Sequence, residues 1–297
     1  MIACVTGATG FIGSHLTERL LQLNFKVRIL VRSTSSLRWL ESLAVEKFTG
    51  SLESPKIAEG FLREADYVFH AGGAIEAKTR REYFNTNGLG TRHLIEAASL
   101  ETRSLKKFIY VSSQAAGGPS EGLQGVREEE PSRPVSFYGE SKLAGEKEIL
   151  KLSHKLPVVI LRPPTIYGPR ETRVFKAFQM LENGFALASG KTKYISFCYI
   201  HDLIEALLLA AFEGPSNGRI YNVAGERPYE WLEFIKEMAK ALGRPYRLLR
   251  LPDFLFLLWG IGGEIYTRIS RRPTLFTWQK IKDFLQSSWV MDGRRIR

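Results

Sequence analysis

The chain has 297 residues, 44% of them hydrophobic and 25% charged, with a formal net charge of +11 and only two cysteines. These are ordinary globular values, and the length is enough for a sizeable core in one domain or in a domain with a smaller lobe. They exclude a disulfide-stapled scaffold, and Cys4 and Cys198, both in apolar strand-like contexts, point to a reducing, cytoplasmic compartment.

The opening Met1-Ile-Ala-Cys-Val runs straight into a short apolar strand over 2–6, so no signal peptide is expected. Helical periodicity follows over 14–22, then strands over 27–31, 45–48 and 67–70. A helical stretch over 81–100, a strand over 108–112, a helix over 137–152 and a strand over 158–161 continue the alternation. Repeated βα units predict an α/β fold, a Rossmann-type doubly wound parallel sheet covered on both faces. The stretch 115–134 is rich in Gly, Pro and Glu and is expected to run over the surface at the active-site edge. Beyond Pro163-Pro164 the rhythm loosens, with helices predicted over 174–183, 201–212 and 229–242 and a strand over 219–223 returning to the main sheet. The expected organisation is an NADP-binding domain over 1–165, joined by 196–225, and a smaller substrate-binding lobe from 166–195 and 226–297. Residues 253–262 are strongly apolar but far short of the roughly 20 residues that a membrane span needs. There is no internal repeat and no low-complexity tract.

About half of the excess positive charge falls in residues 268–297, where Arg268, Arg271, Arg272, Lys280, Lys282, Arg294, Arg295 and Arg297 face only Asp283 and Asp292. No nucleic-acid motif accompanies it. It reads as a solvated basic face, or one turned to anionic lipid or cofactor phosphates, and no nucleic-acid partner is expected.

Three positions carry the chemistry. Gly7, Gly10 and Gly13 follow the first strand with the spacing GxxGxxG and open the first helix. Glycine there allows a tight turn, close backbone approach to a phosphate and helix–strand packing, with the phosphate on the N–H groups of Phe11 and Ile12. The second strand ends in Arg32-Ser33 where a carboxylate would bind the ribose 2′-hydroxyl of NAD(H). Arg32 can pair with a 2′-phosphate and Ser33 can donate to it, which favours NADP(H). Tyr138 and Lys142 lie at i, i+4, on one helix face. A nearby ammonium and the nicotinamide charge are expected to favour phenolate and bring Tyr138 toward a working range. Ser112 and Ser113, just past a strand, can hydrogen-bond a substrate oxygen. Surface helices often carry a Tyr and a Lys at this spacing; the Ser pair and the glycine turn are what give this one meaning. The five histidines show no metal-ligand spacing, and His70 is expected to shape the cofactor floor by packing.

Thr6-Gly-Ala-Thr-Gly-Phe-Ile-Gly13, His70-Ala-Gly-Gly73, Asn87-Gly-Leu-Gly-Thr91, Tyr110-Val-Ser-Ser113, Tyr138-Gly-Glu-Ser-Lys142, Leu161-Arg-Pro-Pro-Thr-Ile-Tyr-Gly168 and Tyr199-Ile-His-Asp-Leu203 together resemble the extended short-chain dehydrogenase/reductase family, within the NAD-dependent epimerase/dehydratase superfamily. The resemblance implies Ser113, Tyr138 and Lys142 as the catalytic set. It also implies cofactor contacts from Thr9, Leu52, Ala71, Gly72, Asn87, Lys142, Pro163, Thr165 and Ile166. The run from Leu251-Pro through Trp289-Val-Met-Asp292 is similar to the 3β-hydroxysteroid dehydrogenase and dihydroflavonol reductase branch. Two departures stand out. Ser51 occupies the place of an Asp that contacts adenine, and relatives continue past Asp292, so a last helix is expected to be missing or altered.

The leading expectation is an NADP(H)-dependent oxidoreductase interconverting a carbonyl and a secondary alcohol on an apolar small molecule, sterol-, isoprenoid- or flavonoid-like. The alternatives are a nucleotide-sugar epimerase or dehydratase with retained NAD, and a non-catalytic NADP-binding protein. Phe254, Leu255, Phe256, Leu258 and Trp259 are expected to line an apolar pocket or lie against a membrane surface, aided by Arg268, Arg271 and Arg272, or else to form lobe core or a homodimer contact.

Overall fold

Strand β1 (Ile2–Thr6) is buried in every residue but its first, and a run apolar on both faces belongs in the middle of a covered sheet. The computed structural model, which describes residues 1–102, 105–213, 218–270 and 278–296 without the Arg268 side chain, puts β1 there. Around it run β2 (Lys26–Val31), β3 (Glu46–Thr49), β4 (Tyr67–His70), β5 (Lys107–Val111) and β6 (Val158–Arg162). The helices between them are α1 (Phe11–Gln22), α2 (Arg80–Phe84), α3 (Gly90–Glu101), α4 (Gln114–Gly117) and α5 (Phe137–Lys151). Then come β7 (Thr165–Tyr167), α6 (Val174–Glu182), β8 (Phe185–Ser189), β9 (Tyr194–Ile195), β10 (Phe197–Tyr199), α7 (Ile200–Phe212) and β11 (Arg219–Asn222). The main sheet has seven strands in the order β11-β6-β5-β4-β1-β2-β3, all parallel. Strand order reverses between β1 and β4, which leaves a crevice outside their carboxyl ends where such sheets bind ligands.

The period of two along each strand divides the core. Ala3, Val5, Val27, Ile29, Ile109, Val159 and Leu161 face α1 and α7, with Leu16, Leu20, Leu203 and Leu207 packed over them. Cys4, Leu30, Val68, Phe108, Tyr110, Val158 and Ile160 face α3 and α5, under Leu94, Ile95, Ala98 and Ile149. Both cysteines are buried free thiols, and burial pushes each up to about 12.

The single helix predicted over 81–100 is broken in two by a π-helical turn, Asn85–Leu89. The extra residue in that turn turns the Asn87 side chain inward, where it is 1% exposed. The helix predicted over 229–242 also starts later, because β12 (Tyr229–Glu230) pairs with β9 before α8 (Trp231–Leu242) begins.

Beyond α8, β13 (Arg247–Leu251) pairs with β8, and a small core of Leu181, Ala186, Ile235, Met238 and Ala239 forms between α6 and α8. Helix α9 (Asp253–Ser270) packs on α10 (Trp278–Leu285), with Phe256 and Phe284 ring centroids 5.0 Å apart and Gly260 against Ile281. No helix among the described residues is long and apolar enough to cross a membrane. Strand β14 (Ser288–Trp289) joins β9, and the residues after it pin the stretch expected to be a surface excursion. Ser120 N–H donates to Ser288, Val126 N–H to Val290, and Asp292 N–H back to Val126. A 3-10 turn, Arg294–Ile296, ends the described chain.

Candidate active site

A cavity of about 1050 Å³ opens from the glycine turn at the end of β1 to the start of α5. Gly7 has φ +73°, and a Cβ there would stand 2.6 Å from the backbone nitrogen of Gly72; a Cβ on Gly13 would stand 2.2 Å from the Gly7 carbonyl oxygen. Only glycine fits either place. Gly10 caps α1 without any side-chain cap, so the first N–H groups of the helix stay available where Gly10, Phe11, Ile12 and Gly13 line the cavity. An uncapped helix start beside a glycine turn fits the pyrophosphate of a dinucleotide.

Of the cofactor residues read from sequence, Gly7, Thr9, Gly10, Phe11, Ile12, Gly13, Arg32, Ser51, Leu52, Ala71, Gly72, Pro163, Thr165 and Ile166 line this cavity. Ser33 does not. A tight turn, closed by Ser35 N–H on the Arg32 carbonyl at 3.0 Å, brings Ser35 into the wall in its place. The Ser51 hydroxyl accepts from Glu53 N–H at 3.2 Å, turned to its own backbone. Asn87 also stands behind the wall. Its side chain accepts from Ala74 N–H at 2.8 Å and donates to the Ala74 carbonyl and the Ser141 hydroxyl, each at 2.9 Å, so it latches the 72–74 turn to α5. His70 shapes this floor by hydrogen bonds as well as packing. Thr91 donates to the Asn87 carbonyl, so His70 Nε2 donates to Thr91, and Nδ1 accepts from Thr6. Burial keeps His70 neutral, its pKa well below the usual imidazole value, with the Lys142 charge adding to the effect.

The two serines after β5 part company. Both border the cavity, but the Ser112 hydroxyl donates to Glu146 at 2.5 Å, whereas the Ser113 hydroxyl accepts from Ala115 N–H at 3.2 Å and exerts its pull on the Tyr138 phenol. Alternation along an extended segment sends neighbours to opposite faces. Tyr138 is set by the first turn of α5, which Ser136 caps by accepting from Gly139 N–H. The phenol is pushed up from its usual value, not brought down: burial outweighs the pull of Ser113 and the Arg173 charge. Lys142 does not counter this, because its Nζ donates to the Val111 carbonyl at 2.7 Å and lies 4.3 Å from the Tyr110 ring centroid. Burial brings Lys142 down to about 7 despite the Glu146 carboxylate.

The far wall comes from residues the sequence did not single out: Arg173, Lys176, Lys193, Lys280, Asp283 and Phe284. Lys280 Nζ lies 5.4 Å from the Tyr138 ring centroid, and burial brings it to about 8. Lys193 donates to the Phe284 carbonyl, and Arg173 pairs with Glu76 at 3.6 Å. The 253–262 cluster is absent from this wall. Phe256 is buried in the contact with α10, while Phe254, Leu258 and Trp259 are exposed on the outer face of α9. Arg271 and Arg272, and the side chain of Arg268, lie outside the described residues.

The profile of the NAD dependent epimerase/dehydratase family matches residues 3–224. A ceramide reductase of Caulobacter vibrioides (strain NA1000 / CB15N) is 30% identical over 97% of this chain and 86% of its own length. The 4-hydroxy-2-methyl-3-oxo-4-farnesyl-3,4-dihydroquinoline-1-oxide ketoreductase of Stigmatella aurantiaca is 27% identical over 80% of this chain and 72% of its own. In fold the chain is similar to the UDP-glucose 4-epimerase of Thermus thermophilus in complex with NAD, with a TM-score of 0.78 and 22% identity over 100% of this chain and 92% of that one.

Proposed function

The chain belongs to the NAD dependent epimerase/dehydratase family, and from that premise we propose that it is an NADP(H)-dependent reductase acting on the carbonyl of an apolar substrate. The observation that carries this reading is that Tyr138 and Ser113 stand in the wall of a cavity that begins at the dinucleotide turn, where burial favours the neutral phenol. A phenol held above its usual pKa is poised to give a proton rather than take one.

NADP(H), when bound, supplies the hydride that adds to the carbonyl carbon. Tyr138 gives its proton to the carbonyl oxygen, and Ser113 steadies that oxygen as charge develops on it. Lys142 sits one helical turn from Tyr138, and leaving Val111 for the nicotinamide ribose would bring its charge toward the phenol. Arg32 serves the 2′-phosphate. The division expected from the sequence is part of the proposal: residues 1–165 with 196–225 would bind the nucleotide, and 166–195 with 226–297 the substrate. The names of the two relatives, reductases of a ceramide and of a farnesyl-bearing 3-oxo compound, support an apolar substrate.

Helix α9 supports it too. Phe254, Leu258, Ile261, Ile265 and Ile269 recur at helical spacing and are 47–79% exposed, with Trp259 and Tyr266 beside them. The +11 net charge suits an anionic lipid surface as the occupant of that stripe. A single assay tests the function: NADPH oxidation with long-chain ketones. Absence of turnover, with tight binding of uridine or thymidine diphosphate sugars, would replace the reading with an epimerase or dehydratase. That second reading draws on the cations Arg173, Lys176, Lys193 and Lys280 in the far wall.

A further inference from the structure

Asp283 is half-buried, and its Oδ1 is fully shielded with no hydrogen-bond partner among the described residues. It stands in the wall of the same cavity as Tyr138. Leaving a buried carboxylate oxygen unmatched costs more than a hydrogen bond returns, so such an atom needs either a reason or a ligand. Holding its own helix is not the reason. Trp289 Nε1 and Gln286 N–H bond the backbone carbonyl of Asp283, at 2.8 Å and 3.3 Å, not its carboxylate. Its helix reaches the start of α5, where Gln279 Oε1 accepts from Phe137 N–H at 3.2 Å, and the carboxylate is held down by Ser136, the cap of α5, two residues before Tyr138. The carboxylate therefore stands in the cavity wall beside the turn that sets the catalytic phenol, with its Oδ1 unmatched. Lys280, one turn earlier on α10, lies against the Tyr138 ring and lowers the cost of keeping Asp283 charged, although burial still lifts it to about 6.

We infer that Asp283 recognises the substrate, accepting a hydrogen bond from a hydroxyl or amide N–H borne close to the carbonyl that Tyr138 protonates. The inference rests on the reductase reading and narrows it: the substrate is an amphiphile with a hydrogen-bond donor beside its keto group, not a plain hydrocarbon ketone. Asp283 acts here as a specificity residue. It takes no part in moving the hydride or the proton.

The test compares three long-chain ketones of equal length with NADPH: unsubstituted, with a β-hydroxyl, and with a β-acetamido group. The wild type is expected to favour at least one donor-bearing ketone over the unsubstituted one by about tenfold or more in kcat/KM, as expected for a hydrogen bond to a charged acceptor, and the favoured ketone identifies the donor. Asp283→Asn presents an amide donor as well as an acceptor, and the preference is expected to fall to near one. Asp283 could instead act only by holding Ser136 and the start of α5. The variant would then lower kcat/KM for all three ketones together and keep their ratio, which would overturn the inference, as would Ser136→Ala abolishing the preference while Asp283→Asn retained it. Turnover of all three at equal kcat/KM by the wild type would leave the reductase reading standing and remove this one. No turnover of any ketone would remove both.

Discussion

Glu146 and Arg162 form a two-pronged ion pair, Nε to Oε1 at 2.8 Å and an Nη to Oε2 at 2.6 Å, with side chains 1% and 3% exposed. Glu146 follows Lys142 by one helical turn and also takes the Ser112 hydroxyl, so β5, β6 and α5 meet at one carboxylate. Breaking such a pair strands a buried charge, whereas removing both charges together does not.

Glu146→Gln is accordingly expected to cost about 3 kcal/mol in urea denaturation. The double substitution Glu146→Leu with Arg162→Met is expected to recover most of that loss. A double variant no more stable than the single one would mean that the pair's geometry, and not its charge balance, holds the three elements together.

Tyr138→Phe keeps the ring and removes the proton. Turnover is expected to fall by roughly a hundredfold or more, with NADPH affinity nearly unchanged. Surviving turnover would rule out the phenol as the acid.

Arg32→Asp is expected to weaken NADPH by about tenfold or more and NADH far less, because it sets a repelling charge where a 2′-phosphate would pair. Equal losses for the two nucleotides, read by fluorescence titration, would show that Arg32 does not read the phosphate.

Lys142 carries a dependence on pH. Its folded pKa of about 7 lies below the roughly 10.4 of an unfolded lysine. Between those values the unfolded chain binds a proton that the folded chain does not, so stability of the nucleotide-free protein is expected to rise from about pH 7 to about pH 10. Lys193 and Lys280, both brought to about 8, push the same way. The difference between the wild type and Lys142→Met isolates the Lys142 share, and parallel curves would deny it.

The α9 stripe predicts binding to vesicles containing anionic lipid, weakened by salt. Replacing Phe254, Leu258 and Ile265 together by Ser should abolish co-sedimentation with vesicles. A wild type that ignores vesicles and sediments as a dimer, which the triple variant dissociates, would assign the stripe to a second copy of the chain.

The nucleotide end of the site was legible because its determinants are local. Gly7, Gly10 and Gly13 form a single turn, and Tyr138 and Lys142 share one helix. Ser113 was set apart from Ser112 by resemblance alone; that the Ser112 hydroxyl is taken by Glu146 depends on the Glu146–Arg162 pair, which the sequence does not announce. Asn87 was flagged through resemblance, yet its work as a latch depends on the π-turn, for which no periodic signal exists. Lys280 and Asp283 gave no signal. Their helix meets Phe137 and Tyr138 from about 140 residues along the chain, and it is a short amphipathic helix that looks like any other charged surface helix. The downward pull expected on Tyr138 failed for a related reason. Adjacent positions on a helix fix a face, but not where a long side chain sends its ammonium, and Lys142 sends it to Val111.

The stitching of residues 288–292 onto the 120–126 stretch has a consequence for how the protein comes into being. A ribosome delivers the chain in one direction, and domains fold as their residues emerge. Every strand of the main sheet is out before α10 and β14 exist, so the nucleotide half can close its core early. The far wall of the cleft, with Lys280, Asp283, Phe284 and Trp289, is complete only when α10 and β14 have emerged. Nascent chains thus acquire the capacity to hold a nucleotide well before they acquire a closed site in which to use it.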